Sequence, residues 1–210
     1  MISDDTRERM KMHQLWSTTE ARSGRPIDDG RDFSNANLDG LELLEAWIGD
    51  SNFVGSTLRK ANLAYSTLAG CDFRGCDMSG FDGYKCNFDE AELEDVTLFE
   101  AKLRKASFRK AKMMKADLSG ALLGKASFTD ADLTGAVLAG CELGRAWFER
   151  TKVTGTVFTG AIEIENAFVK SIEVDGVLLE GETARAWLLQ AVQRASPVAT
   201  SSRPPAGMPD

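Results

Sequence analysis

Residues 101–140 fall into fives as AKLRK ASFRK AKMMK ADLSG ALLGK ASFTD ADLTG AVLAG. The third residue of each group is large and apolar, and the first is small. Carried outward in both directions, the rule holds from Phe33 to Phe158 without a gap. The large slot, at numbers ending in 3 or 8, is Leu, Phe, Ile, Met or Val in 25 of 26 cases, the exception being Gly83. The chain is 43% apolar, so about 11 would be expected without a pattern. The slot two residues earlier holds Ala, Ser, Cys, Thr or Val in 23 of 26 cases, the exceptions being Arg31, Leu41 and Phe81.

A period of five matches neither the 3.6 of an α-helix nor the 2 of a strand. It fits a chain that turns a corner every five residues and sends one large and one small side chain inward each time. Glycine at 40, 55, 70, 75, 80, 120, 135, 140, 155 and 160 always takes the fifth slot, where a tight corner needs permissive backbone angles. A second period sets the number of corners per coil. Phenylalanine recurs at 33, 53 and 73, and again at 88, 108, 128, 148 and 168, in steps of 20. Four pentapeptides per coil would stack those rings in two ladders, each coil rising about 4.8 Å, the spacing of neighbouring strands.

The motif resembles the A-(D/N)-L-X-X unit of the pentapeptide repeat family, and the resemblance runs over roughly residues 31–180. It implies an all-β fold, a right-handed quadrilateral β-helix. After Ala161 the pattern resumes one residue late, as Ile162/Ile164, Ala167/Val169, Ile172/Val174 and Val177/Leu179, which predicts a bulge and takes Phe168 out of the large slot. Phe81 and Gly83 exchange the usual sizes. This reads either as volume compensation inside one coil or as a local distortion that exposes Tyr84.

A solenoid needs its ends covered. Residues 1–30 are expected to form a helical cap, with a helix over 4–20 starting at Ser3 or Asp4 and carrying Met12, Leu15 and Trp16. Residues 181–196 read as an amphipathic helix with Ala184, Trp187, Leu188, Ala191 and Val192 at helical spacing. In the family such a C-terminal module often joins two solenoids, so the resemblance implies a homodimer; a lid over the last coil of the same chain is the alternative. Residues 197–210, rich in proline, are expected to be disordered.

The composition narrows the function. The 210 residues carry a net charge of −7, against simple attraction to nucleic acid or an anionic membrane. There is no long apolar span and no export-signal pattern at the N-terminus, so a cytoplasmic location is expected. No G-x-S-x-G, P-loop, G-x-G-x-x-G or C-x-x-C motif occurs. The single histidine, His13, cannot build a multi-histidine metal site. Cys71, Cys76, Cys86 and Cys141 all fall in the small inward slot and read as core. The expectation is a protein without catalytic residues, metal or cofactor.

Charge is unevenly placed: −1 over 1–30, −9 over 31–100, +6 over 101–155 and −3 over 156–210. At an offset of 20, Asp82 would meet Lys102, Asp89 Arg109, Glu90 Lys110, Glu92 Lys112 and Asp95 Lys115; one coil on, Lys110 would meet Asp130 and Lys112 Asp132. Family members that present an acidic rod shaped like duplex DNA bind type II topoisomerases. The resemblance therefore implies a partner such as DNA gyrase or topoisomerase IV, with this protein an inhibitor or an antibiotic-resistance or self-protection factor. Asp72, Asp77 and Asp82 would carry that DNA mimicry, which the basic belt at 101–116 interrupts. The rival reading is a scaffold binding another protein through outward aromatics, with Tyr84, Phe99 and Trp147 as candidates. Trp47 and Trp147, 100 residues apart, would share a wall five coils apart.

Overall fold

Each residue at a number ending in 2 or 7 forms a parallel β-bridge with the residue twenty positions on, in an unbroken series from Asp32↔Asn52 to Glu142↔Ile162. These contacts come from a computed structural model that describes residues 30–194. The expected N-terminal cap up to residue 29, with His13, and the tail over 197–210 lie outside the described residues. Two backbone hydrogen bonds frame each bridge: Phe33 N donates to Asn52 O at 2.7 Å and Asn52 N to Arg31 O at 2.8 Å. The strand element is thus two or three residues long before the chain turns.

The corner is a four-residue turn closed by hydrogen bonds such as Ala36 N to Phe33 O at 3.2 Å. Its third residue, the fifth slot, has positive φ whatever its identity: 67° at Gly55 and 61° at Lys105. That is the pattern of a type II turn, which explains why glycine recurs there. Four such corners separate residues that bridge across coils. For the coil 71–90 we number the walls 1 (71–75), 2 (76–80), 3 (81–85) and 4 (86–90), and the other coils follow in steps of twenty.

Inside, the large slots are buried throughout from Phe33 to Phe158. Phe33, Phe53 and Phe73 stack on wall 1 with ring centroids 4.7 Å apart at both steps. Phe88, Phe108, Phe128 and Phe148 stack on wall 4 at 5.2, 5.4 and 5.3 Å. Most small polar side chains in the inward slot meet a carbonyl 23 residues earlier: Cys86 donates Sγ–H to Leu63 O at 2.7 Å, Ser66 its hydroxyl to Leu43 O at 3.0 Å, and Thr151 to Phe128 O at 2.7 Å. A small hydrogen-bonding group therefore costs the core little. Phe81 is fully buried, and a Cβ added at Gly83 would lie 2.6 Å from its ring. The exchanged pair is volume compensation within one coil.

The stacking offset changes from 20 to 21 near the C-terminus. Trp147–Phe148 (β1) pairs in parallel with Phe168–Val169 (β3), and Thr151–Lys152 (β2) with Ser171–Val174 (β4), each at an offset of 21. The extra residue is absorbed where Glu163, at φ 57°, leads into the 3-10 turn Ile164–Asn166. Phe168 is displaced outward and is 52% exposed, ending the wall 4 ring ladder at Phe148. The repeat does not run on to 180 as the Val177/Leu179 pattern suggested. Asp175 and Gly176, both at positive φ, reverse the chain so that Val177–Glu180 (β5) pairs antiparallel with β4. An Asp-Gly pair with both residues at positive φ is the hairpin turn favoured by strand twist. The helix Gly181–Gln193 (α1) then folds back with Ala184, Leu188 and Ala191 buried and Trp187 and Val192 half-buried against the core. Thr159 and Gly160 hydrogen-bond carbonyls at Arg194 and Val192, fixing this helix across the last coil of its own chain.

The size exchange gives a sharp test. Phe81→Ala alone should destabilise by about 3–5 kcal/mol through the cavity it opens. Adding Gly83→Leu restores the ordinary large and small pattern and should recover most of that loss in urea unfolding. A double variant less stable than the single one would contradict the compensation.

Candidate binding surfaces

The outward side chains form columns, because every coil repeats the same slots one strand spacing higher. Asp72, Asp77 and Asp82 bridge to Asn52, Thr57 and Asn62 respectively, so they stand in three separate columns on walls 1, 2 and 3. They share a coil but no face. Each also has a nearby base. Arg74 donates two nitrogens to Asp72, the Nη2 contact at 2.6 Å; Arg59 Nε approaches Asp77 at 3.9 Å; and Lys102 Nζ lies 3.6 Å from Asp82.

Ion pairing across coils follows the twenty-residue offset. Glu90–Lys110 closes at 2.8 Å, Glu92–Lys112 at 2.6 Å and Asp39–Arg59 at 2.7 Å. Asp89 instead accepts the backbone N–H of Arg109 at 3.1 Å and the hydroxyl of Ser107. Three further expected pairs are corrected. Asp95–Lys115 is not among the ion pairs of the described residues. Asp130 turns away from Lys110 to accept both Nε and Nη2 of Arg150, at 2.5 and 2.7 Å. Asp132 faces Lys152 at 3.7 Å rather than Lys112. Lys110 and Lys112 are already paired with acids of the coil before, while Arg150 reaches both Asp130 and Glu149. The fork of Arg150 also offers a carboxylate two parallel donors, which an ammonium cannot.

The aromatic candidates are dispersed as well. Trp147 stands in the outward column of wall 4 at 40% exposure, Phe99 at the corner after wall 2 at 44%, and Tyr84, half-buried, at the corner after wall 3. Trp47 is 56% exposed on wall 4, in the column of Trp147. The shift in register brings Trp147 and Phe168 side by side, ring centroids 5.6 Å apart. Glu149 holds the indole by accepting its N–H at 3.2 Å. Phe168 was not named among the surface candidates, although the one-residue lag after Ala161 already took it out of the interior ladder. A column of bases at the third corner, Lys85, Lys105, Lys125 and Arg145, was missed too, although the period of twenty shows it once applied to positive charge.

Among the described residues no group of three or more His, Cys, Asp or Glu side chains is arranged to hold a metal ion. Burial pushes the Cys86 and Cys141 thiols up to about 12. Both are thus protonated and poor nucleophiles at neutral pH. Native protein should therefore leave Cys86 and Cys141 unmodified by a thiol-specific disulfide reagent until denaturant is added; rapid modification of either without unfolding would contradict their burial. Hydrogen bonds from Arg74 to Asp72, Lys110 to Glu90 and Arg150 to Asp130 hold those carboxyls below their usual range. Because the folded values are depressed, their contribution is present above about pH 4, the unfolded value, and is lost as pH falls through the folded values. Acid titration of the thermal midpoint should show the decline beginning below about pH 4, with a smaller slope at high salt.

Against solved structures, a trypsin-treated variant of QnrB1, a plasmid-mediated fluoroquinolone resistance protein, is 17% identical, with 80% of this chain and 98% of that chain covered and a TM-score of 0.44. HetL, a pentapeptide repeat protein involved in heterocyst differentiation regulation in the cyanobacterium Nostoc, is 21% identical over 80% of this chain and 98% of its own, with a TM-score of 0.28. A pentapeptide repeat protein from the Arabidopsis thaliana thylakoid lumen is 23% identical over 65% of this chain and 67% of its own, with a TM-score of 0.36. Among curated proteins the chain finds no match. The family model for pentapeptide repeats matches eight copies, over residues 48–80, 84–113, 91–130 and 116–160, which is more than half of the sequence. This chain belongs to the pentapeptide repeat family.

Proposed function

We propose that this chain, a right-handed four-sided β-helix in the sense its family implies, is a non-catalytic scaffold that binds a protein partner through its outer walls. The observation that carries this reading is the exposed Trp147–Phe168 pair, two large rings in contact on a wall whose intervening column positions are Thr67, Asn87, Ser107 and Ser127. Exposed aromatics in contact are the usual anchors of protein interfaces. A filled interior leaves function to the surface. Within this reading Tyr84 and Phe99 extend contact to other walls, and Trp187 and Val192 on α1 are the residues a second copy of the chain would meet.

A second reading is supported by the acidic stretch 31–100, with net charge −9: engagement of a type II topoisomerase such as gyrase by partial DNA mimicry. In its favour, Asp72, Asp77 and Asp82 surround the rod as phosphates surround a duplex. Against it, each acid has a base within 4 Å.

The two readings separate in one set of variants. Trp147→Ala with Phe168→Ala should reduce capture of the partner by about tenfold or more, whereas Asp72→Lys, Asp77→Lys and Asp82→Lys together leave capture unchanged. The same proteins are then titrated into a gyrase supercoiling assay. Inhibition by the wild type that survives the aromatic changes and disappears on charge reversal would replace the scaffold reading with topoisomerase binding.

A further inference from the structure

We propose that the corner column Lys85, Lys105, Lys125 and Arg145, together with the trough beside it, is a binding site for a small molecule carrying a linear run of phosphates, of nucleoside di- or triphosphate size. The proposal starts from a contrast between columns. At one corner signs alternate from coil to coil through Glu90, Lys110, Asp130 and Arg150; on wall 1 they alternate from Glu92 through Lys112, Asp132 and Lys152, after the like-signed step from Asp72 to Glu92. The third corner instead stacks four bases at successive strand spacings of about 4.8 Å. Like charges held that close repel one another, a cost that an alternating column does not carry.

The same four residues all take positive φ, from 59° to 62°. Glycine fills this slot at many other corners without strain. Bases therefore stand here against both backbone preference and mutual repulsion. None of the four is in an ion pair with another described residue. Lys105 donates to the Tyr84 hydroxyl at 3.0 Å, and Lys85 lies 5.0 Å from the Tyr65 ring centre and 5.6 Å from that of Tyr84. Lys125 and Arg145 keep exposed, uncompensated charges.

Beside them the surface is hollowed. Gly124 and Gly144, both buried, replace the side chains Tyr84 and Arg104 carry in the same column, leaving an open cavity of about 560 Å³. Its banks differ. Lys105, Lys125 and Arg145 line one side; Glu142, ion-paired to Arg104, and Glu163, lying over Gly144, line the other. Phosphates would lie along the bases, each positioned to bridge two coils. The carboxylates opposite would accept hydrogen bonds from hydroxyl or amino groups on the remainder of the molecule, which is the composition of a nucleotide. A long nucleic acid fits less well. It would extend past the column into the acidic field of a chain of net charge −7, whereas a small ligand senses only charges within a Debye length of about 8 Å.

The test is calorimetric titration of the full chain with ATP, inorganic tripolyphosphate, orthophosphate and oligothymidylate, at low and moderate salt. ATP and tripolyphosphate should bind at one site, more tightly than orthophosphate, and weaken as salt rises. Lys125→Glu and Arg145→Glu should each lower affinity about tenfold or more, while Lys60→Glu, at another corner, should leave it unchanged. Lys125→Glu also restores sign alternation, so its thermal midpoint should hold or rise, separating lost binding from lost fold. Binding no tighter than orthophosphate, unchanged affinity in both variants, or tighter binding of oligothymidylate than of tripolyphosphate would each overturn the assignment.

Discussion

The parallel backbone bridge at an offset of twenty is the constraint on which the rest depends. It forces every residue to lie over the residue one coil away, so chemistry repeated at that interval becomes a continuous column. Inside, this produces rings stacked at 4.7 to 5.4 Å and small groups that bond the carbonyls of the coil below. The gain from burying an aromatic ring is then joined by ring contact with both neighbours. Where one large slot is lost, at Gly83, Phe81 in the same coil fills the space, because a closed coil of fixed circumference cannot contract around a void.

The same constraint converts charge order along the sequence into charge order along a surface. Acids five apart, such as Asp72, Asp77 and Asp82, are dispersed around the rod; bases twenty apart, such as Lys105 and Lys125, are gathered into one edge. Exposed pairs of the Glu90–Lys110 type contribute little to stability singly. Their value lies in register, since a coil displaced by one corner would set Glu92 opposite Ser107 or Asp117 instead of Lys112. A rod built this way separates its surface chemistry by wall and corner, with an aromatic step at Trp147 and Phe168 on one wall and a basic edge at the third corner.

Much of this was legible in the residues. The two interleaved slots gave the coil, the phenylalanine interval gave four corners, and the offset placed Glu90 opposite Lys110 and Glu92 opposite Lys112 before any coordinates. What escaped was competition among partners and the end of the repeat. Asp130 has a base on either side, and only side-chain reach and the bidentate guanidinium decide for Arg150. The apolar residues Val177 and Leu179 kept the five-residue appearance, so the Asp175–Gly176 turn signal was outweighed although it lies in plain sight. Surfaces were least legible, because a patch needs two periods read together: fives place a residue on a wall, and twenties place its neighbours.

A set of interspin distances tests the coil register most directly. With one label at position 57 and the second at 117, 137 or 157, all in the outward column of wall 2, the separation should rise by about 4.8 Å for each twenty residues. It would reach about 24 Å across the five coils between 57 and 157. Distances that fail to grow evenly, or that place 157 nearer than 117, would contradict the twenty-residue coil and every column derived from it.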